Sequence, residues 1–362
     1  MGLCGLGKTP EGNAEMEENG AGAVGQSGYY RQTVICNIHS IKGGNRLNRF
    51  TSFMLSSIHG WSYYTKAESV PVNIAPSEVL KKNNGIILLE TSDRLQPPPL
   101  VLCALESAAR VYKDRPVAFF MKGLNDTNIE ETVKKHFSVL STLKNIFFFP
   151  LRFEEVFTGT PLHSWFMKLD VQKQNYWLHV SSDGCRLALI WTYGGIYMDT
   201  DFITIRPIPI QNFLSLESPQ QSSNGIFGFS SHHNFTQECL EDFVRKYDSS
   251  IWGQQGPRLF TRILKTFCDV PVFNGVDNVM CANITLFNPQ RFYPISYPAW
   301  RQYYPIWKKL PTFSDSYGVH PRNFINKDKL TMVPGSNTLA EHLYKEYCPF
   351  IYAAILNATN KH

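Results

Sequence analysis

Asp199 and Asp201 stand two residues apart, directly after the apolar run Ile196-Tyr197-Met198. Hard divalent cations such as Mg2+ or Mn2+ prefer carboxylate oxygens and leave coordination positions open for phosphate. A metal held this way neutralises the negative charge that develops on a departing diphosphate. An Asp-x-Asp at a strand end therefore suits sugar-nucleotide chemistry, although the same triplet also fits a solvated turn. Asp183 and Arg186 lie three apart on the segment leading into the motif, so on a helix they share a face. A carboxylate beside a guanidinium can hold sugar hydroxyls and diphosphate oxygens. The same spacing also makes a local helix ion pair.

The elements that must position these groups are readable on either side. Ser181 or Ser182 can cap a helix that continues through Arg186 to Tyr193, with Leu187, Ile190 and Trp191 on its apolar face. Gly194-Gly195 ends it, Ile196-Tyr197-Met198 is a short strand, and extended chain resumes at Phe202-Ile203-Thr204-Ile205. Upstream, Ile86-Ile87-Leu88-Leu89, Val117-Ala118-Phe119-Phe120-Met121 and Ile146-Phe147-Phe148-Phe149 are apolar runs that suit strands buried on both faces. Pro97-Pro98-Pro99 sets up a helix through Leu100-Val101, Leu105 and Ala108-Ala109 between the first two. Strands alternating with helices predict an α/β fold with a mainly parallel sheet, in which ligands bind at the carboxyl ends of strands.

Organisation is uneven. Residues 1–84 form an N-terminal segment expected to be largely disordered or atypical, with scattered clusters such as Phe53-Met54-Leu55. Ordered structure is expected from Gly85; a catalytic domain spans 85–350 and a C-terminal tail 351–362. The N-terminus has neither the basic start nor the apolar run of a signal peptide, and no stretch of 18 apolar residues predicts a transmembrane helix. Hydrophobic residues make up 43% and charged residues 18%, ordinary for a globular protein, and the net charge of +5 comes without the Lys/Arg block of a nucleic-acid binder. None of the eight cysteines forms a CxxC pair, which argues against a zinc site. Free thiols or a few disulfides both fit, with Cys268 and Cys281 placed to close a loop. Sequons begin at Asn125, Asn234, Asn283 and Asn357, compatible with a secretory route.

Ser182-Asp183-x-x-Arg186-Leu187-Ala188 followed by Tyr193-Gly194-Gly195-Ile196-Tyr197-Met198-Asp199-Thr200-Asp201 resembles the DXD-containing glycosyltransferases. Leu89-Glu90-Thr91-Ser92-Asp93-Arg94, Ile251-Trp252-Gly253-Gln254-Gln255-Gly256-Pro257 and Arg291-Phe292-Tyr293-Pro294-Ile295 place it near the animal α-1,4-N-acetylglucosaminyl- and α-1,4-galactosyltransferase group. Ser223-Asn224-Gly225-Ile226-Phe227 and Gly335-Ser336-Asn337-Thr338-Leu339 look more like the N-acetylglucosaminyl branch. The resemblance runs from about Gly85 to about Pro349.

It implies a GT-A-type fold with the DXD at a strand end. It also implies a retaining transfer of N-acetylglucosamine from UDP-N-acetylglucosamine, in α-1,4 linkage, to a terminal β-galactose of O-glycans. Alternatives are an α-1,4-galactosyltransferase using UDP-galactose on a glycolipid, or a catalytically silent sugar-nucleotide-binding homologue. Mn2+ or Mg2+ would be the metal, held by Asp199, Asp201 and His320. Thr91, Ser92, Asp183, Arg186, Asp199 and Asn224 would bind the donor. Asp183, Arg186 and Gln255 would act in catalysis, with Gln254 near the sugar or acceptor. The partners would be a UDP-sugar and a glycan acceptor on glycoprotein or glycolipid, with no nucleic acid. The resemblance implies a Golgi lumenal location and membrane association, though this chain shows no anchor. One departure stands out. The group tends to carry a tryptophan two residues after the position of His320, where this chain has Arg322, an arginine able to pair with diphosphate. A smaller one is Gly184 within the helix, which costs about 1 kcal/mol of helix propensity against alanine.

Overall fold

The computed structural model of the chain describes residues 74–360 apart from 270 and 327. The expectations for Phe53-Met54-Leu55, Cys4, Cys36 and most of the N-terminal segment lie outside these residues. Ten strands are present among them: β1 Ile86–Glu90, β2 Val117–Met121, β3 Ile146–Pro150, β4 Gly195–Met198, β5 Ile203–Thr204, β6 Phe213–Ser218, β7 Gln221–Phe229, β8 Val279–Cys281, β9 Ile284–Phe287 and β10 Gly318–Val319. Eight form one sheet in the order β3-β2-β1-β4-β7-β6-β9-β8, while β5 and β10 pair as a small antiparallel ribbon.

The three apolar runs and the short strand before the aspartates make the parallel half of the sheet. β1 pairs parallel with β2 and β4, and β2 with β3, in registers such as Ile86↔Val117 and Ile86↔Ile196. Beyond β4 the sheet is mixed: β4/β7, β6/β7 and β8/β9 are antiparallel and β6/β9 is parallel. Four of the seven strand pairs are thus parallel. Both faces of β1 are covered, as its unbroken apolar run requires. Ile86 and Leu88 enter the core that holds the helix Pro99–Val111, and Ile87 and Leu89 enter the core that holds the helix Trp177–Tyr193.

The chain runs outward from β1 through β2 to β3, then returns to lay β4 on the other side of β1. Such a reversal opens a crevice at the carboxyl ends of the two strands, where open α/β sheets bind ligands. The loop after β1, with Thr91, and the turn after β4, with Asp199 and Asp201, flank that crevice.

Order extends beyond both expected limits of the catalytic domain. A short helix, Pro76–Val79, precedes Gly85, and Leu80 is buried in the core. At the other end Pro349–Thr359 is a helix with Ile351 buried, so the chain does not become a tail at 351. Two disulfides are formed among the described residues. Cys268–Cys281 closes the expected loop, and Cys103–Cys348, 245 residues apart in sequence, ties the helix Pro99–Val111 to the start of the C-terminal helix. Glu106 reinforces that tie by accepting the backbone N–H groups of Phe350 and Ile351. Cys185 and Cys239 remain as buried free thiols.

Candidate active site

The helix carrying Asp183 and Arg186 starts earlier than the serines predict. It spans Trp177–Tyr193, and Tyr176 precedes it at φ 55°. Ser181 lies inside the helix and donates to the Leu178 carbonyl rather than capping. The reason is tertiary: Trp177 is packed edge-on against Phe153 and stacked on Phe166, which anchors the helix a turn earlier. Gly184 is explained by the same packing, since a Cβ there would come within 3.3 Å of Phe157 and Leu162. Gly194 ends the helix at φ 64° as its sequence predicts.

Past Met198 the chain turns, with the Phe202 N–H donating to the Asp199 carbonyl at 3.1 Å. Asp199 itself stays on the β4–β7 ladder, donating its N–H to Gly225 at 2.8 Å. Gly225 is required there, because a Cβ would lie 2.7 Å from Asp199 Oδ2. Arg186 reaches across from the helix. Its Nη1 donates to Asp199 Oδ1 at 2.8 Å and to the Asn224 carbonyl at 2.9 Å, while Nε lies 3.6 Å from Asp183 Oδ1. The guanidinium sits over the Tyr197 ring, 4.6 Å from its centroid, and the Tyr197 hydroxyl donates to Asp199 Oδ1 at 2.7 Å. Asn224 donates its amide to Asp183 Oδ1 at 2.6 Å. The pair three apart on the helix is therefore more than a local ion pair: it joins β4 and β7 in one network.

His320 follows β10 and aims its ring into the same place. Its Nε2 is 3.4 Å from Asp199 Oδ2 and 3.3 Å from Asp201 Oδ1. The second oxygen of Asp201 accepts the Asn323 N–H at 2.7 Å, which fixes the carboxylate plane. One ligand atom from each of Asp199, Asp201 and His320 lies within 4.8 Å of the other two. Burial alone would lower the His320 pKa, but Asp201 and Asp199 outweigh it and raise it. Burial would raise the Asp199 carboxyl, but Arg186, His320 and Tyr197 hold it below the ordinary range. Positive charge is what this spot attracts. Two carboxylates and an imidazole are also a donor set that suits Mn2+ or Mg2+, so these residues fit a divalent cation. Asp183 differs: burial pushes its carboxyl up to about 6, against the pull of Arg186 and Asn224.

These groups line one cavity of about 780 Å³, a size that suits a ligand larger than a single sugar. Thr91 lines it with its hydroxyl bound to the Leu178 carbonyl, whereas Ser92 turns back to donate to Glu90. Gln255 is buried in the wall, donates its amide to the Phe243 carbonyl, and leaves Oε1 without a partner. Gln254 lines the cavity in the turn that begins the helix Pro257–Phe267. Gly256 lets this turn close on the Asp183 carboxylate, since a Cβ would lie 2.7 Å from Asp183 Oδ2.

Arg322 also lines the cavity, but its charge is already paired. Nη1 donates to Glu217 Oε1 at 2.9 Å, and the guanidinium lies 4.6 and 5.1 Å from the Tyr293 and Tyr297 ring centroids. Glu217 and Tyr197 were not legible as site residues. Tyr197 carried one signal, a phenol on a buried strand that must find a hydrogen-bond partner.

Two family models match the chain. Residues 98–221 match the glycosyltransferase sugar-binding region containing the DXD motif, and residues 228–355 match the α1,4-glycosyltransferase conserved region. The human α-1,4-N-acetylglucosaminyltransferase is 49% identical over 77% of this chain and 82% of its own length. The human lactosylceramide 4-α-galactosyltransferase is 36% identical over 75% of this chain and 77% of its own. A solved galactosyltransferase structure with donor and acceptor sugar analogues overlaps 74% of this chain and 95% of its own, at TM-score 0.39 and 10% identity, too loosely to bear on mechanism.

Proposed function

Given that the chain belongs to the DXD-containing α1,4-glycosyltransferase family and is a glycosyltransferase, we propose that it transfers N-acetylglucosamine from UDP-N-acetylglucosamine, in α-1,4 linkage, to a terminal β-galactose of an O-glycan. The observation that carries the chemistry is the convergence of Asp199, Asp201 and His320 beside the Asp183–Arg186–Asn224 network in one cavity. The choice of donor follows the relative of higher identity, the N-acetylglucosaminyl enzyme at 49% against 36% for the galactosyl one.

Asp199, Asp201 and His320 would hold Mn2+, which when bound supplies Lewis-acid neutralisation of the donor diphosphate. Arg186 sets the Asp199 carboxylate in place and keeps it ionised. Asp183, held by Asn224 and pressed by Gly256, presents its buried carboxyl to the sugar hydroxyls of the donor. Gln255 offers the unpartnered Oε1 as an acceptor to the same sugar. Positioning and charge stabilisation then do the work, and retention follows from same-face attack assisted by the leaving diphosphate. Trapping a glycosyl-enzyme ester would contradict that last step. A Golgi lumenal setting accords with the two disulfides and with sequon asparagines 125, 234, 283 and 357, all exposed. Among the described residues, no helix is long and apolar enough to cross a membrane.

The test is UDP release by the full chain with Mn2+ and a β-galactoside, comparing UDP-N-acetylglucosamine with UDP-galactose. Acceptor-dependent turnover with the first donor is expected. Turnover with UDP-galactose alone would assign the galactosyl activity. UDP binding without turnover on either donor would leave a silent binding protein.

A further inference from the structure

Arg186, His320 and Arg322 are buried in the cavity and Asp183, Asp199 and Asp201 half-buried, whereas two apolar segments of its rim are open. Tyr176 and Leu178, at the start of the helix Trp177–Tyr193, are 49% and 45% exposed, and Ile251 and Trp252, just before Gln254, are 38% and 42% exposed. All four line the same cavity. The two segments meet through their rings: Trp252 packs edge-on to Tyr176 at 5.4 Å between centroids and to His179 at 4.5 Å. These contacts fix the plane of the indole. Tyr176 is set beside it in a left-handed conformation, at φ 55°, that side chains other than glycine adopt at a cost. Large apolar groups held rigidly at the mouth of a polar site indicate a binding surface more than a folding need.

We propose that the Tyr176–Trp252 shelf is the acceptor subsite, and that it takes a terminal β-galactoside by stacking the apolar face of that sugar. The inference rests on the sugar-acceptor reading above. Two arguments point to the acceptor. A sugar that ends a longer glycan must leave the cavity toward solvent, which a rim subsite allows and the buried network around Arg186 does not. The shelf also runs straight into Gln254-Gln255-Gly256, the turn pressed on Asp183, so a sugar lying on it would border the donor pocket. The stereochemistry of galactose fits. Its C3, C4 and C5 hydrogens make one apolar face, and the axial 4-hydroxyl projects from the opposite one. A ring stacked on Trp252 therefore turns its 4-hydroxyl away from the indole and leaves it free to react in the cavity that Trp252 lines. Glucose, with an equatorial 4-hydroxyl, cannot combine the stack with that direction.

The test uses the full chain with UDP and Mn2+ and measures binding of a 4-deoxy-β-galactoside, which keeps the stacking face and lacks the nucleophile. Acceptor KM and donor KM are measured alongside it. Trp252→Leu, of similar apolar character without the ring, should weaken the galactoside at least about tenfold and raise the acceptor KM in parallel, with donor KM within about twofold. Trp252→Phe should recover most of the loss. A fall in UDP or donor affinity with acceptor KM unchanged would give the shelf to the nucleotide and overturn the proposal. So would unchanged values throughout, or the absence of galactoside binding by the unmodified protein. If that protein binds the galactoside through Trp252 but transfers nothing to it, the transfer reading fails while the shelf stands.

Discussion

Glu341 is buried and the acids of the cavity half-buried, yet their oxygens are used differently. Glu341, at the start of the helix Leu339–Tyr347, accepts from the backbone N–H groups of Gly335 and Asn337, from the Tyr352 hydroxyl and from Lys345. Burial alone would raise its pKa, but those donors outweigh it and hold the carboxyl at about 2. Asp199 and Asp201 instead turn one oxygen each toward His320, and Asp183 keeps a carboxyl pushed up to about 6 by burial. A carboxylate whose donors all come from the chain around it is a structural brace. Carboxylates that keep one oxygen each turned toward a shared point, as Asp199 and Asp201 do beside His320, mark a place for an incoming cation or ligand.

The contrast is broken most severely at the motif. Asp201→Asn keeps the shape and the Asn323 contact but removes a charge, so turnover should fall roughly a thousandfold with the unfolding midpoint almost unmoved. Steady-state UDP release and thermal melts check both halves. Glu341→Ala should do the reverse. Two backbone N–H groups lose their acceptor, and stability should drop by about 3–4 kcal/mol in urea unfolding, while turnover per folded molecule holds.

Acidity sharpens the comparison, because Glu341 and Asp183 respond with opposite sign. The folded pKa of Glu341 lies below its unfolded value, so its stabilisation is present above about pH 4.5 and is lost as pH falls toward 2. The folded pKa of Asp183 lies above its unfolded value of about 3.8, so its protonated form favours folding at low pH. That contribution is lost as pH rises through about 6, a change on the order of 2–3 kcal/mol. Urea unfolding of Asp183→Asn between pH 4 and 7 should lack this fall. Tyr197→Phe gives the smallest effect. It removes one hydrogen bond to Asp199 and leaves the ring beneath Arg186, so turnover should drop only about fivefold, near 1 kcal/mol.

What was legible follows from which interactions are local. Ile86–Leu89, Val117–Met121 and Ile146–Phe149 read as buried strands because a run covered on both faces is apolar throughout, and the structure places strands there. Spacing alone leaves Asp199 and Asp201 open to a solvated turn and Asp183 and Arg186 to a local ion pair, and the resemblance of the surrounding run is what singles the four out; the structure places them in one network. The closing of Cys268 on Cys281 needs only a short loop, whereas Cys103–Cys348 depends on two ends of the domain meeting. The antiparallel half of the sheet escaped notice for the same reason: the pairing of β4 with β7 is set by register across distant segments. Helix start failed at Ser181 because packing of Trp177 overrode a local cap signal. Arg322 is by its chemistry able to pair with diphosphate; the structure pairs it with Glu217, 105 residues away, and no spacing in the chain announces that pair.

The central claim is that the acids around His320 form a cation-dependent donor site. Calorimetric titration of UDP into the full chain, with Mn2+ and with EDTA, tests it most directly when repeated on Asp201→Asn and Glu341→Ala. UDP affinity should depend on Mn2+ in the unmodified protein and in Glu341→Ala, and should lose that dependence in Asp201→Asn. Equal UDP binding in EDTA, or an Asp201→Asn titration matching that of the unmodified chain, would contradict the account.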